Sequence, residues 1–275
     1  MKPAHVDYLR AESLDNVHAT LAREGDDARI LAGGQSLVPM LSMRLARPKL
    51  VVDIMRLSEL ADIRMEGTDI RVGCCVRQAQ LLEWPALKRL QPLLAAALPW
   101  VGHVQTRSRG TICGSLVQAD PSAELPLVLI ALKGSVELSS RRRRRTIPAA
   151  DFFTGLMSTA RENDELVEAA RFPSLATGAG IAFREFARRH GDFAIVSCAA
   201  VADGQGTRLA VGGVADRPIL RNFDNLNGSA LDDALNTFSW ELDARGDLHA
   251  TARYRRELVR RMGRETIGEA CRCRG

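Results

Sequence analysis

The strongest constraint on how this chain folds is a pair of adjacent glycines. Residues 31–39 read LAGGQSLVP: an apolar strand-like run, ARILA (28–32), stops at Gly33-Gly34, and a second apolar run follows Gln35 and Ser36. Glycine opens backbone conformations closed to other residues and lets a ligand approach the main chain. Consecutive turn amides form an anion-binding concavity, so this turn offers N–H groups plus a hydroxyl to a phosphate. A second turn, TICGS at 111–115, offers Thr111, Gly114 and Ser115. Two such loops from separate places could clamp one diphosphate from both sides without a lysine. Taken singly, each also reads as a plain strand-to-helix connection, because short glycine-rich turns are common. Neither matches the G-x-G-x-x-G of a Rossmann site. Spacing and composition alone stop at a phosphate-binding α+β protein.

The 275 residues suffice for one large domain or two smaller ones. Aromatics make up only 5%, which argues against stacking on nucleic-acid bases. Much of the +5 formal charge comes from one run, Arg141 to Arg145. Such a run reads as a solvated loop or hairpin, with an anion or partner contact as the alternative. No stretch approaches the ~20 apolar residues of a membrane span. The first residues are acidic in part and lack an apolar signal region, so a cytoplasmic location is expected. The six cysteines lack the spacing of an iron–sulfur or zinc site and read as reduced structural thiols, with Cys271-x-Cys273 a weak ligand pair at most. No HExxH, GxSxG or Walker motif occurs, and no catalytic or metal-binding set is assigned.

Helices and strands alternate along the first part of the chain. Ser13 is placed to cap a helix with Leu14, Val17 and Leu21 on its apolar face. KLVVDI (49–54), DIRVG (69–73) and SVELSS (135–140) read as strands, with the arginine run at the turn that follows the last. QPLLAAALPWV (91–101) is helical but cut by Pro99, and AELPLVLIAL (123–132) is a buried helix. SLATGAG (174–180) reads as a small-residue linker, which divides the chain into 1–175 and 176–275. Beyond it, IAFREFARR, AIVSCAAVAD and RLAVGGVAD read as long antiparallel strands. The closing helix, 254–270, places Leu258, Val259, Met262 and Ile267 on its apolar side.

LAGGQSLVPMLSMRLARPKLVVDI (31–54) closely resembles the N-terminal flavin segment of the medium subunits of molybdenum hydroxylases. This is the family of carbon monoxide dehydrogenase, quinoline oxidoreductase and the flavin region of xanthine dehydrogenase. TRSRGTICGSLVQADPSAELP (106–126), FARRHGDFAIVSCAA (186–200), GGVADRP (212–218) and DLHATARYRREL (247–258) resemble its later segments, in order. The resemblance implies an α+β fold of the vanillyl-alcohol oxidase type: two FAD-holding subdomains, split near 55–60, then a smaller C-terminal α+β domain. It implies FAD as the cofactor of this chain. The implied partners are a large molybdopterin subunit and a small subunit with two [2Fe–2S] clusters, in a dimer of heterotrimers with no nucleic acid. Electrons would run from substrate through molybdenum and the clusters to FAD and then to an external acceptor. The substrate would be a small molecule such as an N-heteroaromatic or CO.

Carried over by position, the first turn places Leu31, Ala32, Gly33, Gly34, Gln35, Ser36, Leu37 and Val38 around the pyrophosphate. The second places Thr111, Ile112, Cys113, Gly114 and Ser115 there. Val101 falls at an apolar flavin contact. Asp120 and Glu124 fall where a carboxylate accepts ribityl or ribose hydroxyls; surface solvation or capping of helix 123–132 is the alternative. Arg184 falls where a basic residue approaches the flavin, or else faces outward from its strand. RRHGDFA (188–194) is a segment that could reach the isoalloxazine, with His190 itself at the surface. One departure stands out: the family's second turn has two glycines, and Cys113 replaces the first. Its side chain must point away from the diphosphate. A cofactor-free scaffold of the same fold is the competing reading. A stand-alone flavin oxidase is a third, disfavoured because 275 residues leave little room for a cap domain.

Overall fold

The computed structural model describes residues 2–204, 206–223 and 226–275. The chain opens with a three-stranded parallel sheet in the order Asp7–Arg10, Leu50–Asp53, Ala28–Leu31. Parallel strands of one sheet need a crossover, and the helix Leu14–Glu24 carries the chain from the first edge strand, Asp7–Arg10, to the other, Ala28–Leu31. Ser13 starts that helix, its Oγ accepting the Asn16 N–H at 3.1 Å, and Val17 and Leu21 are buried.

A five-stranded antiparallel sheet follows, in the order Ile63–Glu66, Asp69–Gly73, Leu166–Pro173, Ser135–Ser139, Arg144–Pro148. Between its strands lie short helices, Pro92–Ala97 giving way to a 3-10 turn at Leu98–Trp100 where Pro99 intervenes. Glu124–Ala131 is buried at every residue. It has no polar stripe to show solvent, so it can only be an interior helix. It packs against Val196–Asp203 and Gly206–Gly212, the central strands of a four-stranded antiparallel sheet. That sheet runs Gly180–Phe186, Val196–Asp203, Gly206–Gly212, Ile219–Asn222. Its other face carries the helix Ala252–Arg272, on which Val259 and Ile267 are buried and Leu258 and Met262 partly so.

Strand alternation divides the two cores. Ala199 and Val201 face the core of the first two sheets, while Cys198, Ala200 and Ala202 face the core under the C-terminal helix. Residues 174–179 connect strands of the two antiparallel sheets.

The arginine run occupies a hairpin: Arg141–Arg143 form its turn and Arg144–Arg145 start the return strand. Arg142 to Arg145 have internal partners. Arg142 Nη2 lies 2.9 Å from Asp164 Oδ2, Arg145 Nη2 2.6 Å from Glu165 Oε2, and Arg144 Nη2 3.4 Å from Glu168 Oε1. Glu165 is 1% exposed, so its charge stays buried only because guanidinium nitrogens meet it. Among the described residues no helix is long and apolar enough to cross a membrane.

Candidate functional site

The first glycine turn is the end of a strand and the start of a helix. Ala28–Leu31 stops, the chain turns through 32–36, and Leu37–Ser42 begins. Gly34 has φ +70, the left-handed region that favours glycine. The turn closes on itself through Val38 N–H to Gly34 O at 3.0 Å and Gln35 Nε2 to Gly33 O at 3.1 Å. Ser36 stands at the helix N-cap, yet its hydroxyl makes no capping bond. The amides of Gly33 to Leu37 find no acceptor among the described residues, as expected of groups ahead of a helix's first turn. Gln35 and Ser36 are exposed.

The second turn is braced by a different segment. Gln78 N–H bonds Gly110 O at 2.8 Å and Ile112 N–H bonds Val76 O at 3.2 Å. Thr111 caps the helix Ile112–Gln118, accepting the Gly114 N–H at 3.1 Å. The Ser115 N–H is also taken, by Thr111 O at 3.3 Å. The second turn is therefore less open than its sequence suggests. Of its amides, those of Thr111 and Cys113 are left without an acceptor among the described residues.

The two turns meet. A Cβ on Gly33 would lie 2.2 Å from Arg109 O and 2.6 Å from Gly110 Cα. Gly33 is thus a contact glycine: only a missing side chain lets the first turn rest on the backbone leading into the second. Cys113 does not obstruct this junction. It lies within the helix, is 2% exposed, and directs its Sγ to Val72 O at 3.7 Å. Burial raises that thiol far above its ordinary range, so it is inert packing. Cys74, Cys75 and Cys198 are buried too, whereas Cys271 and Cys273 are exposed.

Beside the turns sits an apolar and aromatic corner. Val101 is 7% exposed. Its carbonyl and those of Pro99 and Gly102 accept one nitrogen, Arg107 Nη1, at 3.0, 3.1 and 2.8 Å. Trp100 stacks on His190 at 4.8 Å between ring centroids and lies 6.3 Å from Phe183. RRHGDFA therefore does reach this corner, with His190 exposed as a lid on Trp100. Gly191, at φ +88, seats against the His103 ring.

The acidic residues come next. Asp120 Oδ1 accepts the Ser122 N–H at 2.9 Å, and burial raises its carboxyl. Glu124 is 5% exposed, and burial pushes it up to about 7. Neither caps the helix, whose N-cap is Ala123 without a side-chain bond. Its burial sets surface solvation aside for Glu124, whose carboxyl accepts the backbone N–H of its own residue at the helix start. The structure adds an acid that sequence reading missed: Glu185, pushed up to about 8 by burial and then by the Glu124 charge. Its signal was two-residue alternation, which puts it on the same strand face as Phe183.

The same alternation corrects the expectation for Arg184. It turns to the opposite face, where Nη1 and Nη2 meet Glu265 at 3.2 Å and Glu269 at 2.9 Å on the C-terminal helix. It therefore lies apart from Phe183 and Glu185. A cavity of about 620 Å³, lined by Leu21, Gly25, Arg142 and Arg161 among others, takes none of its lining from the turns. Among the described residues no group of three or more His, Cys, Asp or Glu could hold a metal.

This arrangement offers amides for phosphate, carboxyls for hydroxyls and an aromatic corner for a ring. The family described as FAD binding domain in molybdopterin dehydrogenase matches residues 4–175. The CO dehydrogenase flavoprotein C-terminal domain matches residues 181–270. The 6-hydroxypseudooxynicotine dehydrogenase complex subunit alpha of Paenarthrobacter nicotinovorans is 38% identical, over 98% of this chain and 96% of its own. The nicotine 6-hydroxylase medium subunit of that organism is also 38% identical, over 98% and 99%. A solved carbon monoxide dehydrogenase from Hydrogenophaga pseudoflava superposes over 100% of both chains with TM-score 0.94 at 30% identity.

Proposed function

Because this chain belongs to the FAD-binding subunits of the molybdopterin dehydrogenases, we propose that it holds FAD at the junction of its two glycine turns and relays electrons through it. The observation that carries the reading is Gly33 seated on Arg109–Gly110, which brings two phosphate-type turns to one place. The amides of Gly33 to Leu37, the Ser36 hydroxyl and the Cys113 amide would hold the diphosphate. Leu31, Ala32, Val38, Ile112, Thr111, Gly114 and Ser115 shape the two turns around it. Val101, with Trp100 beside it, would line the flavin. Asp120 and Glu124 would accept sugar hydroxyls. Bound FAD supplies the redox chemistry, and the chain's own residues orient it and exclude water.

The chain divides, on this reading, into an FAD-binding part, 1–175, in two subdomains parting near 55–60, and a C-terminal domain, 176–275. Molybdopterin and [2Fe–2S] centres belong to a large and a small partner subunit, in a dimer of heterotrimers in the cytoplasm. The reducing substrate is chosen on the molybdenum subunit, and a small molecule such as an N-heteroaromatic or CO fits the relatives. The test is the absorption spectrum and released-flavin content of the purified complex. One FAD per chain supports the proposal. No flavin, with partners still bound, overturns it in favour of a cofactor-free scaffold.

A further inference from the structure

A polar cluster remains unpaired where the Asp120–Glu124 turn meets the C-terminal sheet. Ile181 and Phe183 pack into the first core, and Glu185 follows them on the same strand face. Both its carboxyl oxygens are buried without a hydrogen-bond partner among the described residues. Ser197 lies directly opposite in the strand register, is 0% exposed, and its hydroxyl is equally unpartnered. Glu124, at the start of its buried helix, is near enough for its charge to act on the Glu185 carboxyl. The seam is fixed by the Gly213 N–H bonding Pro121 O at 2.8 Å. Buried polar groups are nearly always bonded, so a converging unpaired set marks the place of a missing partner.

We infer that Glu185 joins Glu124 as a carboxyl pair that binds the ribityl or ribose hydroxyls of FAD, with Ser197 as a third contact, so that the C-terminal sheet completes the cofactor site. The inference rests on the FAD reading above. A run of hydroxyls both donates and accepts, and it needs partners of both kinds. Two facing carboxyls do not ionise together cheaply, so near neutrality the pair keeps a proton and presents a donor beside acceptors. The charged groups that act here are Asp120 on the turn, Arg107 on the neighbouring helix, and the two glutamates themselves. Arg184 points to the other face.

FAD covering this seam removes its remaining water and favours the protonated carboxyl further. Binding then holds a proton, and affinity falls as pH rises through the titration of free Glu185. For a group titrating at about 8, the loss between pH 7 and pH 9 is about tenfold.

The experiment titrates FAD into the full-length apoprotein at pH 7 and pH 9. The wild type should lose about tenfold, while Glu185→Gln, which cannot ionise, should stay within about twofold across that range. Ser197→Ala should weaken binding at both pH values without changing the slope, and it decides the matter if Glu185→Gln fails to fold. FMN, which keeps the ribityl chain and lacks the ribose, retains the slope if the pair meets the ribityl chain and loses it if the pair meets the ribose. FAD uptake with the wild-type slope intact in Glu185→Gln, or with Ser197→Ala unchanged in affinity, overturns this inference alone. No FAD uptake by the wild type overturns the FAD reading as well.

Discussion

Gly33→Ala tests the junction of the two turns most directly. The new Cβ would stand 2.2 Å from Arg109 O and 2.6 Å from Gly110 Cα, and both obstacles are backbone. Ordinary carbon contacts begin near 3.5 Å, so the turns must part by about 1 Å. The second turn cannot retreat freely, because Gly110 O is held by Gln78 N–H and Ile112 N–H by Val76 O. Overpacking of this kind costs about 1–3 kcal/mol, which lowers the melting temperature of a chain this size by several degrees. The larger effect falls on the cofactor. Amides converging on one diphosphate lose their geometry together, and losing about 1.4 kcal/mol or more of binding weakens FAD at least tenfold. The assay is FAD titration of the apoprotein alongside a thermal melt. Gly34→Ala is the control. Its φ of +70 costs about 1–2 kcal/mol, but its nearest neighbours are the Val38 and Leu31 side chains, at 3.1 and 3.2 Å, which can yield. It should lower the melting temperature comparably and weaken FAD far less. Full FAD affinity in Gly33→Ala would refute the idea that this contact assembles the site.

Cys113→Gly should leave flavin content unchanged and lower stability by about 1 kcal/mol or more, because it puts glycine inside a helix and empties a buried position. Flavin absent from the wild type and restored by that variant would reverse the conclusion. Arg184→Ala should cost under about 1 kcal/mol, as exposed ion pairs do, and leave the flavin spectrum and potential unchanged. A shifted potential would return Arg184 to the flavin. Glu165→Ala should cost about 3 kcal/mol by removing the acceptor of the Arg145 pair. Burial works to raise Glu165, but the hydrogen bonds from Arg145 and the Glu162 N–H, with the Arg145 and Arg143 charges, together outweigh it and hold the carboxyl below its ordinary range. Its contribution is therefore full above the unfolded carboxyl's titration and fades as pH falls through the folded value. Urea melts between pH 7 and pH 3 should show wild type and Glu165→Ala converging at the acid end; a constant gap would contradict this.

Local chemistry carried much of the fold in the sequence itself. Ser13 announces its helix because an N-cap acts within three residues, and the helix Glu124–Ala131 announces its burial because it has no polar face. The glycine turns were visible for the same reason. What they do together was not, because Gly33 and Gly110 are far apart in sequence and their contact exists only once two sheets have packed. Cys113 looked like a defect in the second turn until the helix Ile112–Gln118 showed its thiol directed inward. Arg184 and Glu185 are the sharpest case. Adjacent strand residues must face opposite ways, which the sequence alone determines. Which face meets the cofactor side is decided by what packs on each: a helix with Glu265 and Glu269 on one, the first core and Glu124 on the other. Short-range periodicity belongs to the sequence; the choice of side belongs to long-range packing, because only the assembled core fixes where solvent, charge and ligand lie.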